Sequence, residues 1–303
     1  MRIKGLDVGY VATKSIGDFD EQIIFRSAYS TSDDIIACDS YIQIDGVDYY
    51  VGTGNTISKP DKTDSLMNKV CTLTNLAKTG EDEYFLVVGL PIAQYKSQKD
   101  KLITEIMKYN DCEIKYFGQK LNISIKDVTV FPQGAGALYT IEDCVDGEYL
   151  IVDVGGYTVD IALIEMINYS PIVKKYDTWF YGMTTIYSQI QNKLNNTYTN
   201  LTLEPSNIEN IFKFGLKYDD KEIDVYKIID PIIDKHANKI IVDLDKYYPS
   251  YTTDIYLCGG GSKHLYSTFK KHHPNTKLIN DSQFANAKGF YCIGQQKYYD
   301  YVY

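Results

Sequence analysis

The feature that most constrains this chain is the stretch YLIVDVGGYTVDIALIE, which occupies residues 149–165. An apolar run ends in Asp153, the chain turns through two glycines, and a second apolar run carries Asp160 near its start. This pattern predicts a tight β-hairpin with a carboxylate at its mouth. Adjacent glycines let backbone N–H groups approach an anion, and a neighbouring acidic residue fits if a cation lies between it and that anion. A Mg²⁺-bound nucleotide phosphate is the simplest such ligand, although a DxGG turn between two buried strands can also be purely structural.

A second copy of the pattern opens the chain and favours the phosphate interpretation. Residues 3–17 read IKGLDVGYVATKSIG, in which an apolar start leads into Asp7, Gly9 and then Lys14. A return strand is predicted at about residues 23–29. Because Asp-Val-Gly occurs at the same place in both stretches, we predict a duplicated architecture in which two facing hairpins clamp one polyphosphate.

Length and charge exclude several classes of protein. With 303 residues and 44% hydrophobic content, the chain can form one large or two medium domains with sizeable cores. A formal charge of −9 argues against direct nucleic-acid binding, so a link to DNA is expected to pass through a partner. No apolar run reaches the length of a membrane span, and no signal peptide precedes the first strand, so a cytoplasmic location is expected. Scattered cysteines and the lack of an HExxH motif indicate neither a disulfide framework nor a zinc site.

Between the two hairpins, strand and helix patterns alternate along the chain. Asp45-Gly46 predicts a further hairpin, whereas Gly52-Thr53-Gly54 predicts a turn, because it lacks the context of a dinucleotide or P-loop motif. The other predicted elements are a helix over 62–78, a strand over 83–95, a helix over 96–110, a hairpin around 117–120 and a helix of small residues over 131–139 with Pro132 in its first turn.

The second half repeats this plan and adds a glycine cluster. Gly259–Gly261 follow an apolar strand and open a helix, where a glycine backbone can lie flat against a nucleotide. The other predicted elements are a return segment over 172–180, a helix over 183–194 after Gly182, short helices near 206–214 and 221–228, a longer helix over 231–248 and a small-residue helix over 285–294.

These elements, in this order, resemble those of the actin/Hsp70/sugar-kinase ATPase superfamily. Within it, the chain is similar to the bacterial plasmid-segregation actins, the ParM and Alp-like group, although Tyr157 replaces a small residue common in the second phosphate motif. The matching segments are residues 7–9 with Lys14 (first phosphate motif), 132–138 (first connecting segment), 153–160 (second phosphate motif), 259–261 (adenosine motif), 287–294 (second connecting segment) and, for the ParM and Alp-like group, 6–10, 45–52, 89–91 and 131–134.

The resemblance implies an α/β fold, an actin-like (ribonuclease H-like) duplicated two-domain ATPase with the nucleotide in the interdomain cleft. Domain I is expected over residues 1–147 and domain II over residues 148–303. The implied cofactors are ATP or ADP with Mg²⁺. The implied function is ATP-dependent assembly into a homopolymeric filament, which turns over with ATP hydrolysis and drives plasmid DNA segregation through a ParR-like adaptor bound to the DNA.

The motifs and the resemblance together assign roles to individual residues. Asp7 and Asp153 are expected to hold Mg²⁺ through water, since hard oxygen ligands suit this ion and it keeps several waters. Gln133 is expected to orient the attacking water, so that Gln133 and Asp153 are the catalytic pair. Asp160 is a weaker candidate for supporting water or metal, because it can equally be a strand-face residue. The predicted nucleotide-binding residues are Asp7, Gly9, Tyr10, Lys14, Gly155, Gly156, Thr158, Gly182, Gly259, Gly260 and Gly261.

Two other functions fit the same fold, because fold does not settle function. A small-molecule (sugar-type) kinase would carry a catalytic aspartate near the first connecting segment, where this sequence has Gln133. A chaperone-like ATPase is disfavoured because no substrate-binding domain follows residue 303.

Overall fold

The computed structural model of the chain describes residues 1–32, 37–56, 66–80, 82–142, 144–168 and 170–302. They form a ten-stranded sheet in the N-terminal half, a five-stranded sheet in the C-terminal half and a separate two-stranded hairpin. The ten-stranded sheet has the order β3-β2-β1-β8-β10-β9-β5-β6-β4-β7, with β1 (Arg2–Val8), β2 (Ala12–Gly17), β3 (Gln22–Arg26), β4 (Ala28–Ser30), β5 (Ser40–Ile44), β6 (Val47–Val51), β7 (Asn55–Thr56), β8 (Asp82–Leu90), β9 (Cys112–Tyr116) and β10 (Gln119–Pro132).

The five-stranded sheet and the helices complete the fold. The sheet has the order β13-β12-β11-β16-β17, with β11 (Gly147–Val154), β12 (Val159–Ile167), β13 (Ser170–Trp179), β16 (Asp254–Cys258) and β17 (Thr276–Leu278), while β14 (Leu216–Tyr218) pairs with β15 (Lys221–Ile223). The helices are α1 (Leu66–Thr79), α2 (Ile92–Met107), α3 (Met183–Thr197), α4 (Ile208–Phe214), α5 (Tyr226–Tyr247), α6 (Ser262–His272) and α7 (Ala285–Val302). None of the helices in the described part of the chain has the length and apolar character needed to cross a membrane.

Parallel strands at the centre of each sheet explain its apolar runs. In the N-terminal half β1 and β10 both pair parallel with β8, and in the C-terminal half β11 pairs parallel with β16. Such strands are covered on both faces, which is why β8 and β11 are almost continuously apolar and buried. Helix α1 is buried on nearly all sides and contacts six strands of the large sheet, so the sheet folds around it; these strands are β1, β2, β4, β5, β6 and β10.

Helix α7 packs on the N-terminal sheet, although the predicted boundary at residue 147 assigns it to domain II. A Cβ added to Gly5 of β1 would lie 2.2 Å from the Ala287 carbonyl oxygen, and one added to Gly289 would lie 1.9 Å from the Gly136 carbonyl oxygen. Neither position has room for a side chain. The division at residues 147 and 148 stays a prediction, but at these glycines the last helix packs closely against the N-terminal half.

Two predicted elements of the N-terminal half are wrong in place or type. The strand that returns from the first hairpin is β2, not residues 23–29, because Gly9 N–H donates to the Ala12 carbonyl at 3.1 Å and closes a tight turn. The helix predicted over 131–139 is a continuation of β10 to Pro132 followed by a short 3₁₀ helix over Gly136–Thr140. Pro132 pairs with Leu90 of β8, and Gly134 with φ +78° then turns the chain; sheet pairing therefore overrides the helix pattern.

Other predicted elements differ from the structure in their type or in the residue at which they begin. The helix predicted near 221–228 is instead the β14–β15 hairpin, whose turn residues Asp219 and Asp220 have φ of 48° and 58°. Helix α5 then begins at Tyr226 and includes Pro231, where the prediction began. Helix α2 begins directly after Pro91 rather than at residue 96. In the helix predicted over 62–78, residues 62–65 lie outside the described residues, and α1 covers the remainder.

Candidate functional site

The two Asp-bearing hairpins face one cleft between the halves of the molecule. The cleft has a volume of about 910 Å³, part of it open to solvent, and the glycine cluster after β16 forms another of its walls. All of the predicted site residues except Gly182 line it. The lining residues are Asp7, Gly9, Tyr10, Val11, Ala12, Lys14, Gln133, Asp153, Gly155, Gly156, Thr158, Asp160, Met183, Thr184, Tyr187, Glu209, Gly259, Gly260, Gly261, Gln283 and Asn286.

The hairpins β1–β2 and β11–β12 have the same register. Asp7 is paired with Lys14 across the first hairpin, and Asp153 is paired with Asp160 across the second. In each, the glycine two residues after the aspartate donates its N–H to a carbonyl three residues later, at 3.1 Å from Gly9 and 2.8 Å from Gly155. The repeat seen in the sequence is therefore a repeat of backbone geometry, and it directs two carboxylates into the same space.

Asp7 is held between an amide and an ammonium group. Gln133 Nε2 donates to Asp7 Oδ1 at 2.6 Å, and Lys14 Nζ lies 4.0 Å from Asp7 Oδ2. Both Asp7 and Gln133 are buried. Because the Gln133 backbone N–H also donates to the Leu90 carbonyl at 2.8 Å, the end of β8 fixes the base of this side chain.

Asp153 has a matching amide partner but a more negative environment. Asn286 Nδ2 donates to Asp153 Oδ2 at 2.7 Å. Burial and the nearby carboxylates of Asp160 and Asp7 together raise the pKa of Asp153 to about 6, against the opposing effects of Lys14 and the hydrogen bond from Asn286. The raised pKa means that this environment disfavours the charged form of Asp153.

Asp160 is oriented by two hydroxyl groups. Thr158 Oγ1 donates to Asp160 Oδ2 at 3.0 Å, and Thr178 Oγ1 of β13 donates to Asp160 Oδ1 at 2.6 Å. The side chain thus points along the cleft floor beside Asp153, its partner across the hairpin. Asp160, the weaker candidate from the sequence, therefore lines the cleft, and the Thr158 hydroxyl is hydrogen-bonded to it.

The donor chemistry of the cleft fits a hard divalent cation. Four acidic residues (Asp7, Asp153, Asp160 and Glu209) line it, against one basic residue, Lys14. A polyphosphate could not enter so acidic a site without a cation to neutralise it. No three His, Cys, Asp or Glu side chains of the described residues are arranged to hold a metal directly. Mg²⁺, which keeps several of its waters, is compatible with these residues, and Asp7 and Asp153 are the carboxylates that would hold it through those waters.

The three glycines after β16 have different reasons to be glycine. A Cβ at Gly259 would lie 2.2 Å from Asp153 Oδ1, and Gly259 has φ +84°, so a side chain here would displace the carboxylate. A Cβ at Gly261 would lie 2.5 Å from Met183 Cγ. Gly260 meets nothing within 4 Å and lines the cleft, so it is the glycine whose backbone is open to a ligand.

The tips of the two hairpins touch each other across the cleft. A Cβ at Gly156 would lie 2.1 Å from Val11 Cγ2, and the rings of Tyr10 and Tyr157 meet edge to face with centroids 5.9 Å apart. Tyr157, the departure from the usual second phosphate motif, therefore forms part of this contact between the halves.

Gly182 lies behind the second hairpin rather than in the cleft. A Cβ there would lie 2.3 Å from the Gly156 carbonyl oxygen, and the Gly182 N–H donates to the Tyr157 carbonyl at 3.1 Å. At the start of α3, the N–H of Thr184 donates to the Gly156 carbonyl at 2.8 Å. The structure thus gives Gly182 a packing position that lets α3 support the hairpin.

The sequence analysis missed several residues that line the cleft. Asn286 had one signal, because it lies in the small-residue helix predicted over 285–294, directly before the second connecting segment. Thr184 and Tyr187 come from α3, Glu209 from α4 and Gln283 from the turn before α7, and none of these stretches carries a motif. Packing of the helices around the second hairpin brings them to the cleft.

Each half of the chain is similar to a known domain. Residues 5–136 match the family model for the N-terminal domain of actin like proteins, and residues 151–271 match the model for the C-terminal part of the archaeal actin homologue, MreB-like. An archaeal actin homolog of Thermoplasma acidophilum is 24% identical, over 96% of this chain and 98% of its own length.

Solved structures agree over the whole length of the chain. A 15-stranded ParM filament from Clostridium botulinum has a TM-score of 0.81 at 23% identity, covering 97% of this chain and 99% of the other. A crystal structure of an archaeal actin homolog in complex with ADP has a TM-score of 0.80 at 22% identity, covering 98% of this chain and 100% of the other. The chain is therefore actin-like in both of its halves and has the two-domain actin-like fold.

Proposed function

We propose that this protein is an ATP-dependent filament-forming ATPase of the cytoplasm, with ATP or ADP and Mg²⁺ bound in the cleft. The observation that carries the proposal is the pair of identical hairpin registers that direct Asp7, Lys14 and Asp153 into one space. Phosphoryl transfer is catalysed mainly by placing groups and stabilising charge, and this arrangement supplies both signs of charge from opposite sides of a cleft.

In this proposal both hairpins contact the phosphates through their turn amides, each contributes one aspartate to the cation site, and the first also contributes the lysine. Lys14 contacts the β- and γ-phosphates, and the backbone amides around Gly9, Gly155 and Gly156 contact the remaining oxygens. Asp7 and Asp153 would hold Mg²⁺ through its waters, and the bound ion would neutralise charge on the phosphates. Gln133 orients the attacking water, and the backbone at Gly260 faces the nucleotide. The solved ADP complex of a relative with the same fold supports this assignment.

Filament formation follows from the two-half architecture. A ligand that touches both hairpins favours the closed arrangement by its differential contacts. Surfaces on both halves then match a neighbouring copy only in the closed form, and identical head-to-tail contacts of this kind build an open filament. The ParM filament with the same fold supports this step. Loss of the γ-phosphate weakens closure, so hydrolysis promotes disassembly.

The biological role we propose is plasmid DNA segregation through a ParR-like DNA-bound adaptor. The formal charge of −9 opposes direct contact with DNA, so the filament requires a separate DNA-binding protein. Likeness to ParM supports this role.

Pelleting and electron microscopy of the purified protein test the proposal. With Mg²⁺ present, filaments should be stable with a non-hydrolysable ATP analogue, transient with ATP, and require a much higher protein concentration with ADP. Asp153→Ala should abolish hydrolysis because it removes one of the two cation-supporting carboxylates. A protein that stays monomeric with all three nucleotides and phosphorylates a sugar would contradict the proposal in favour of a kinase.

A further inference from the structure

Asn286 contacts two parts of the cleft at once and has no role in the function proposed above. Its Nδ2 donates to Asp153 Oδ2 at 2.7 Å, and its Oδ1 accepts from the backbone N–H of Gly134 at 2.8 Å. Asn286 is only 7% exposed, so bulk water does not compete for either bond. One side chain therefore joins the second hairpin to the segment that follows β10 in the other half.

The chemistry of the two partners fixes the orientation of this amide. A carboxylate only accepts hydrogen bonds and a backbone N–H only donates, so the Asn286 NH₂ group must face Asp153 and its oxygen must face Gly134. The exchanged orientation would place oxygen against oxygen and N–H against N–H. Both hydrogen bonds therefore require the same orientation of the Asn286 amide, and a rotation of that amide breaks both.

Asn286 also lies next to the place where the last helix crosses between the halves. It is the second residue of α7, and one turn later Gly289 touches the backbone of Gly136 so closely that no side chain fits. Gly136 begins the 3₁₀ helix directly after Gly134. A shift of the Asp153 carboxylate would thus act on the first turn of α7 and on residues 134–136 together.

We propose that Asn286 is a positioning residue that couples the position of the Asp153 carboxylate to the contact between α7 and residues 134–136. The inference rests on the proposed nucleotide function, because the occupant of the cleft is what changes the position of Asp153. Asn286 then transmits that change to the segments about which the two halves turn.

Hydrogen exchange of the free protein tests the link without any nucleotide. Asn286→Ala removes both bonds, whereas Asn286→Asp keeps an acceptor for Gly134 N–H and places a carboxylate against Asp153. Exchange in peptides over 133–137 should be about tenfold faster in both variants, because repulsion from Asp153 also draws the introduced carboxylate of the second variant away from the Gly134 N–H. Unchanged exchange in Asn286→Ala would overturn the link.

Asn195 provides the matched control. It donates to the Leu203 carbonyl at 3.1 Å and accepts from the Leu203 N–H at 3.0 Å, and it does not line the cleft. Asn195→Ala and Asn195→Asp should leave exchange over 133–137 unchanged, while thermal unfolding reports the general cost of losing two bonds. Faster exchange over 133–137 in the Asn195 variants as well would show a general loss of stability and overturn the positioning role.

Kinetics with ATP and Mg²⁺ test the coupling itself. Both Asn286 variants should lower kcat at least about tenfold with KM within about threefold of wild type, as expected for lost positioning rather than lost binding. The change in exchange over 133–137 on adding a non-hydrolysable ATP analogue should disappear in both. Wild-type kcat in both Asn286 variants would overturn the inference. If the wild-type protein does not bind nucleotide, the proposed function is overturned instead. Hydrogen exchange in the free protein would still test whether Asn286 links Asp153 to residues 134–136.

Discussion

The two hairpins at the cleft have the same backbone but opposite charge at one position. Across the first, Asp7 pairs with the lysine Lys14, and across the second, Asp153 pairs with the acid Asp160. Each aspartate also accepts one side-chain amide, from Gln133 at 2.6 Å and from Asn286 at 2.7 Å. The repeat thus gives a symmetric frame in which the first hairpin carries one acid and one lysine and the second carries two acids.

The pair of acids on the second hairpin also affects the pKa of Asp153. Asp153 is buried beside Asp160 and Asp7, which together with desolvation raise its pKa to about 6. The second hairpin is therefore the one on which the charged form of the aspartate is disfavoured. Each of the following changes tests one part of this comparison.

The largest effect is expected when Lys14 of the first hairpin is replaced by an acid, as found at the matching position of the second. Lys14→Asp places a fifth acidic side chain in a cleft lined by four and removes its one lysine. Loss of a buried charge partner predicts ATP binding weaker by about 10²-fold or more. Binding of a fluorescent ATP analogue measures this. Lys120→Asp, at an exposed lysine that pairs with Glu113, is the control; equal affinities in the two variants would contradict a phosphate-binding first hairpin.

Removing the side-chain amide that donates to Asp7 should lower ATP turnover without a matching loss of ATP affinity. Gln133→Ala is expected to lower the rate of ATP hydrolysis by about 10²-fold and to leave ATP affinity nearly intact, because positioning groups act mainly on the reacting atoms. The control is Gln43→Ala, because Gln43 donates to Asp48 at 2.8 Å outside the cleft. If Gln133→Ala loses affinity and turnover equally, Gln133 only supports Asp7 and does not orient water.

The raised pKa of Asp153 should make the free energy of unfolding depend on pH. The folded-state pKa of Asp153, about 6, lies above the ordinary aspartate value of 3.8, so the folded protein binds this proton more tightly than the unfolded chain. The stabilising contribution of the protonated carboxyl is complete below about pH 4 and is lost as pH rises through about 6, by about 3 kcal/mol at most.

Denaturant unfolding of the nucleotide-free protein between pH 4 and 7 measures this loss. Asp153→Asn should remove that part of the pH dependence, and Asp160→Asn should move its midpoint downward, because one of the charges that raise the Asp153 pKa is gone. Identical pH profiles for wild type and Asp153→Asn would show that the carboxylate is not strained in solution.

The smallest effect is expected at the hairpin tips. An edge-to-face aromatic pair contributes about 1 kcal/mol beyond area burial, so a double-mutant cycle with Tyr10→Ala and Tyr157→Ala should give a coupling of that size in the free energy of unfolding. Tyr29 and Tyr49, which pair within the N-terminal sheet, provide a reference cycle. Zero coupling between Tyr10 and Tyr157 would show that the tips do not touch in solution.

Much of the site could be predicted because its signals are local. Asp-Val-Gly occurs in both hairpins, and tight turns depend on a few neighbouring residues, so the sequence located both carboxylates and the glycine cluster. The parallel central strands were also visible as apolar runs. The predictions failed where a local pattern competed with pairing at a distance: Pro132 read as a helix start, but its segment continues β10 beside β8.

What only the tertiary structure decided is which distant residues meet. The sequence by itself determined the duplicated hairpins, the acid and lysine on the first and the two acids on the second, because these follow from spacing along one strand pair. The roles of Asn286 and Gly182 depend on packing between elements far apart in the chain. Asn286 reaches Asp153 from a helix that lies 133 residues further on, and Gly182 is excluded from the cleft by the hairpin it supports. Local patterns carry no information about such approaches, since they are set by how whole sheets and helices pack.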